Sequence, residues 1–217
     1  MIDDAIKPAI RTALRLHEIG DASPYQMFFA GKGKSGGSFG FMQGDLAAGQ
    51  PNVKTTFEAA MAAAGVPLSK SRTLKAALSV HCINNPLNAR DTNTVNNALS
   101  SDVGRPLVDT MDESILHGVY SGLDQCIAAA AATNRSTDVK ALLYLAMWIN
   151  MSGPPSTVLS WLGGKPVNLA RPIGKAPAVV DGPVMEAYLR ATSYYSENPA
   201  NFPHLMQCAA AGMGALS

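Results

Sequence analysis

No stretch of the 217 residues is long and apolar enough to cross a bilayer. The longest apolar segments, Cys126 to Thr133 and Leu142 to Met151, fall short of the roughly 20 residues that a spanning helix needs. No transmembrane segment is expected. An excess of either charge is lacking too: Lys plus Arg number 17 against 16 for Asp plus Glu, a formal net charge of +1. Bulk electrostatics therefore argues for neither nucleic acid nor an anionic membrane as partner, and any substrate is chosen locally. The start, Met1-Ile2-Asp3-Asp4, has neither the basic opening nor the apolar core of a secretory signal. A periplasmic, secreted, phage-associated or secretion-system-associated protein of this sequence would be exported by another route or have lost its signal.

Cysteine is scarce. Cys82, Cys126 and Cys208 are odd in number and far apart, so they allow at most one internal disulfide, fit no zinc spacing and are expected as buried apolar residues. His17-Glu18 begins like the zinc motif His-Glu-x-x-His, but position 21 is Asp21 and no other histidine pair has ligand spacing. Neither a catalytic metal nor a cofactor is expected. Gly33-Lys34-Ser35 looks like the end of a phosphate-binding loop. Phe28 stands where its first Gly belongs, and a Gly-rich segment follows where a helix should, which argues against a nucleotide enzyme.

What is present is the composition of a folded globule, 47% hydrophobic and 15% charged, long enough for one domain over residues 1–217 with a sizeable core. Ile6, Ala9, Ile10, Ala13 and Leu14 form a helix stripe, with Pro8 tolerable in the first turn, Gly20 as a stop, and Glu18 one turn beyond Leu14. From about residue 24 to 46 aromatics, Gly and Ser take over, predicting a hairpin or small β-lobe as the only sheet, with Lys32 and Lys34 as a solvated tip or a weak contact to an anionic ligand. Helices are predicted at about Thr56 to Ala64, Lys70 to Val80, Thr92 to Leu99 and Thr110 to Ala132, the last with a capped start in Asp109 followed by Asp112. Further helices are expected at Asp138 to Ile149, ended by Ser152-Gly153-Pro154-Pro155, at Val158 to Leu162, from Gly182-Pro183 to Ser196, and after Pro203. The fold class is mainly α with a small β part.

Chemistry concentrates around the acidic residue ending the first helix and the lobe that closes with Gly37-Ser38-Phe39-Gly40-Phe41-Met42-Gln43-Gly44-Asp45. A carboxyl that serves as a general acid near neutral pH needs an apolar setting to stay protonated, which a Glu on an apolar helix stripe beside Phe and Met can have. The plain alternative is a solvated helix-end Glu. Asp45 and Asp21 are the nearby second carboxylates, with Asp21 equally suited to a turn after Gly20. Phe39, Phe41 and Met42 read as core.

In order and spacing these residues resemble goose-type lysozymes and family-one lytic transglycosylases. That family carries a catalytic Glu at a helix end, then Gly-Ala-x-Gly-Leu-Met-Gln, which Gly37 to Gln43 is similar to. Its later Tyr-Asn-Ala-Gly-Pro with a following Trp-Leu is similar to Asn150-Met151-Ser152-Gly153-Pro154 with Trp161-Leu162. Ile19 stands where the family has Ser, and Asn150-Met151 where it has Tyr-Asn. The resemblance implies a lysozyme-like helical domain that cleaves the β-1,4 bond between N-acetylmuramic acid and N-acetylglucosamine in peptidoglycan. Glu18 would be the general acid, Asp45 a water-activating base if the route is hydrolytic, and Gln43, Tyr25 and Asn150 sugar contacts, with Tyr194 and Tyr195 as further ones. In an anhydro-forming route no second carboxylate is required. A chitosanase or chitinase on the same fold, or a non-catalytic glycan-binding or assembly domain, are the alternatives. The sequence names no protein partner.

Overall fold

The computed structural model describes residues 1–29, 35–48, 50–82, 84–153 and 156–216, and the backbone alone of Pro51. Lys32, Lys34, Gly33, Pro154 and Pro155, on which the lobe tip, the phosphate-loop comparison and part of the second motif rest, lie outside the described residues. The chain divides into two compact units, residues 1–17 with 117–217, and residues 18–116. Both are mainly helical, and a small antiparallel sheet belongs to the second.

In residues 18–116 the end of α1 (Lys7–Ile19) leads into β1 (Phe28–Phe29), β2 (Gly37–Phe39) and β3 (Gly44–Asp45). Gly20 stops the helix at φ +57, the left-handed conformation that glycine adopts without cost. The strands pair antiparallel in the order β1-β2-β3, Phe28 opposite Ser38 and Ser38 opposite Asp45. Three helices follow: α2 (Pro51–Ala63), α3 (Leu68–Leu78) and α4 (Ala89–Ser100). Helix α2 starts at Pro51, which suits a first helical position, and α4 is capped by Asn88, whose side chain accepts from the Asp91 N–H. Phe39 and Leu46 from the lobe, Val53, Phe57 and Met61 from α2, Leu74 and Leu78 from α3, and Val95 and Leu99 from α4 share one core.

The last helix of this unit is the first half of α5 (Gly104–Ala131), which begins six residues before the expected Thr110. Ser101 Oγ accepts the Gly104 N–H at 2.9 Å and caps the start, so Pro106 falls in the first turn, where its missing N–H costs nothing. Asp109 is therefore a helical residue and not a cap.

In residues 117–217, α6 (Val139–Ser152) is capped by Asp138, whose Oδ1 accepts from Ala141 N at 2.7 Å, and it packs on α8 (Gly182–Ala191) and α10 (Phe202–Gly214). A Cβ on Gly212 would lie 2.8 Å from the Ala9 carbonyl oxygen, so only glycine lets α10 approach the first turns of α1 this closely. Ala9, Ile10, Ala13 and Leu14 are fully buried, as their spacing predicts. Between α6 and α8 lie α7 (Ser156–Leu162) and an irregular connector. The expected single helix from Gly182 to Ser196 is two, α8 and α9 (Ser193–Glu197), because Thr192 is extended. The lobe is not the only sheet either. Two residues on each side, β4 (Ser136–Thr137) and β5 (Val179–Val180), pair in parallel. Such short runs leave no periodicity to read.

Candidate functional site

Glu18 occupies the last turn of α1, one residue before buried Ile19 and two before Gly20, and is half-buried. Asp21 is exposed in the turn that follows. The lobe that comes next is built on carboxylates and amides. Strands of two or three residues satisfy few of their own backbone groups, so side chains must supply the remainder. Asp45 does so at the sheet end, where its Oδ1 accepts the N–H groups of Gly36 at 3.0 Å and Ala47 at 2.7 Å. Gln43, at φ 53, accepts from Ser38 Oγ at 2.7 Å and donates Nε2 to the Gly40 carbonyl at 3.0 Å. Both of its polar ends thus close the turn between β2 and β3.

The firmest fixture of that turn is a residue that the sequence offered only as part of a helix start. Asp112, in α5 and fully buried, accepts the N–H of Phe41 at 2.8 Å and of Met42 at 3.0 Å, one on each oxygen. Gly40 makes room for it: at φ +80, a Cβ there would sit 2.3 Å from Asp112 Oδ1. A signal for Asp112 was present, since it continues the apolar stripe Val108, Leu116 and Val119 at helical spacing. A carboxylate on a buried stripe needs donors. Phe39, Phe41 and Met42 are core, at 0%, 3% and 3% exposure.

Tyr25 donates its hydroxyl to Asp109 Oδ1 at 3.0 Å, and the Arg105 guanidinium lies 5.5 Å from its ring centroid. Met27 N–H is held by Asn96 Oδ1 at 2.9 Å. Glu18, Asp45, Gln43 and Tyr25 accordingly belong to one compact unit, whereas Asn150, half-buried near the end of α6, belongs to the other. There Trp161 is 1% exposed, its ring 4.6 Å from that of Tyr188 and its Nε1 donating to the Gly174 carbonyl at 2.9 Å. The Trp-Leu part of the second motif is therefore core. Tyr195 is buried against Phe202, and Tyr194 is exposed, its hydroxyl accepting from Asn201 Nδ2.

The three cysteines are free, Cys126 and Cys208 buried and Cys82 half-buried. Burial pushes the Cys126 thiol up to about 12. Burial, and then the Asp45 carboxylate, also raise that of Cys82. Among the described residues no group of three or more His, Cys, Asp or Glu is arranged to hold a metal ion, and no helix is long and apolar enough to cross a membrane. No family model, no curated protein and no solved structure matches the chain.

Proposed function

We propose that the protein cleaves the β-1,4 bond between N-acetylmuramic acid and N-acetylglucosamine in peptidoglycan, with Glu18 as general acid. The observation that carries this reading is the position of Glu18. It is a half-buried carboxyl at a helix end, opening the same compact unit as a lobe whose Gly40 to Gln43 turn is pinned on buried Asp112. The protonated carboxyl gives its proton to the glycosidic oxygen as the bond from that oxygen to C1 breaks. The resulting carboxylate then takes the proton of the sugar's own C6 hydroxyl as that oxygen closes on C1, which yields an anhydro sugar and restores the acid. We favour this route over hydrolysis because Asp45, the nearby base candidate, spends Oδ1 on two backbone N–H groups of its own lobe.

Glu18→Gln keeps the shape and cannot donate the proton, so turnover should fall by about a hundredfold or more while the melting curve stays that of wild type. Mass spectrometry of digested cell walls reads the route, since hydrolysis adds water to the product and anhydro-ring formation does not. Full activity in folded Glu18→Gln would remove Glu18 from the role, and the next carboxylates to test are Glu58, which pairs with Lys75, and Glu113. Chitosan and chitin offered in parallel separate the related polymers. Glycan binding or assembly without turnover is a second reading, motivated by Ile19 and Asn150-Met151 standing where the resembled family has Ser and Tyr-Asn. Release of soluble sugar fragments by the wild type would rule it out.

A further inference from the structure

Three non-helical stretches of residues 117–217 meet at one pocket of about 380 Å³. Helix α6 ends there at Ser152, with Gly153 turning the chain at φ +74, and α7 begins there with Ser156 and Thr157. The connector passes at Asn168 to Ala170, tied down one residue later where Arg171 N–H donates to the Ala191 carbonyl at 3.1 Å. The extended residue between α8 and α9, Thr192, and its neighbour Ser193 complete the wall, with Trp148 and Tyr188 as the aromatic part.

The lining has a definite chemistry. It holds hydroxyls, one carboxamide and an indole, and its one titratable group is the phenol of Tyr188, neutral near pH 7 like any tyrosine and pushed further up by burial. Without a fixed charge to meet phosphate or carboxylate, the pocket suits a neutral ligand. Ser152 Oγ donates to the Trp148 carbonyl at 2.7 Å and Thr192 Oγ1 to the Leu189 carbonyl at 2.6 Å, so each of these lining hydroxyls has its proton committed and can serve a ligand as an acceptor. Thr157, Asn168 and Ser193 make no side-chain hydrogen bond to another described residue, so donors and acceptors of both kinds are available. Hydroxyl and amide groups around a half-buried indole match a ring that has an apolar C–H face and an edge of hydroxyls. The volume lies at the small end of ligand pockets, which run from roughly 300 to 1,000 Å³.

We propose that this pocket binds a single neutral sugar ring, an N-acetylhexosamine. The site stands on its own lining, and only the choice of the N-acetyl sugar rests on the function proposed above.

The chain has two tryptophans, and Trp161 is 1% exposed, so Trp148 is the one whose emission a ligand in this pocket would alter. N-acetylglucosamine titrated into full-length protein carrying Glu18→Gln should give a saturable change in tryptophan emission in the millimolar range, and glycerol should give none. Thr157→Ala with Asn168→Ala, both exposed positions, should weaken the response about tenfold with an unchanged melting curve. Absence of saturation, an equal response to glycerol, or a double variant that binds like its parent would overturn the proposal. If the wild type releases no glycan fragments but the pocket titrates as stated, the proposed cleavage fails and the site stands. If it cleaves while the double variant binds like its parent, the reverse holds.

Discussion

The lobe of residues 18–116 is held mainly by side-chain acceptors, and the connector after α7 in residues 117–217 by side-chain donors. In the lobe, Asp45, Asp112 and Asn96 each turn side-chain oxygens onto backbone N–H groups. In the long connector after α7, the Trp161 indole donates to the Gly174 carbonyl and Arg135 Nε to the Ala176 carbonyl at 2.9 Å. Both arrangements answer one requirement, since a buried backbone group without a partner costs about 1–3 kcal/mol. The difference lies in what else each side chain brings. A Trp adds a large apolar surface to the core as it donates, whereas a buried Asp brings a charge whose desolvation must be offset by the hydrogen bonds it accepts. The connector is thus fixed by packing with hydrogen bonds added, and the lobe by hydrogen bonds with packing added.

The largest test of that contrast is Trp161→Ala, expected to cost about 4 kcal/mol in urea unfolding, because it removes a fully buried ring and the Gly174 contact together. Trp161→Phe separates the two contributions and should recover more than half of the loss. If it recovered nothing, the hydrogen bond would dominate and the contrast would collapse. Asp112→Asn comes next at about 3 kcal/mol, since an amide presents one oxygen and sets an NH₂ against the other backbone N–H. Hydrogen exchange at the Phe41 and Met42 amides should accelerate in that variant before other lobe amides do. Unchanged protection there would mean that packing of Phe39, Phe41 and Met42 fixes the turn.

How much of this was legible in the sequence follows the same division. The stripe Ala9, Ile10, Ala13 and Leu14, the Gly20 stop, the helix beginning near Asp138 and the Gly182-Pro183 start are local signals, and each lies where it was read. The lobe announced itself by composition, and its strands fall inside the expected residues 24–46. What escaped depends on pairs far apart in the chain. Asp112 meets Phe41 across 71 residues, and β4 meets β5 across more than 40, so no window of local sequence contains either pairing. Asp45 and Gln43 show the limit from the other side. Their positions could be matched to a motif, yet their partners, Gly36, Ala47, Ser38 and Gly40, are backbone and hydroxyl groups of the lobe itself.

The smallest expected effect tests whether Asp45 acts as a charge as well as a clamp. Its carboxylate helps raise the Cys82 thiol, second to burial, so at pH 8 less of that thiol is ionised than in an ordinary cysteine and alkylation by iodoacetamide is slow. Asp45→Asn removes the anion, lowers the thiol back toward its usual range and should speed Cys82 alkylation roughly twofold, a small change because burial remains the larger cause. Cys126, held at about 12, should stay silent in both proteins and serve as the internal reference. Loosening of the lobe would also speed the reaction, because the Cys82 N–H donates to the Ser35 carbonyl at 3.0 Å, beside the Gly36 that Asp45 clamps. Salt separates the two causes. A charge effect is screened once the Debye length falls to about 3 Å near 1 M, so added salt should accelerate alkylation of the wild type and leave the Asn variant unmoved. A variant that reacts faster while the wild type ignores salt would make Asp45 a clamp alone. That outcome would leave the contrast between the two backbones standing on hydrogen bonds, with no contribution from charge at this end of the lobe.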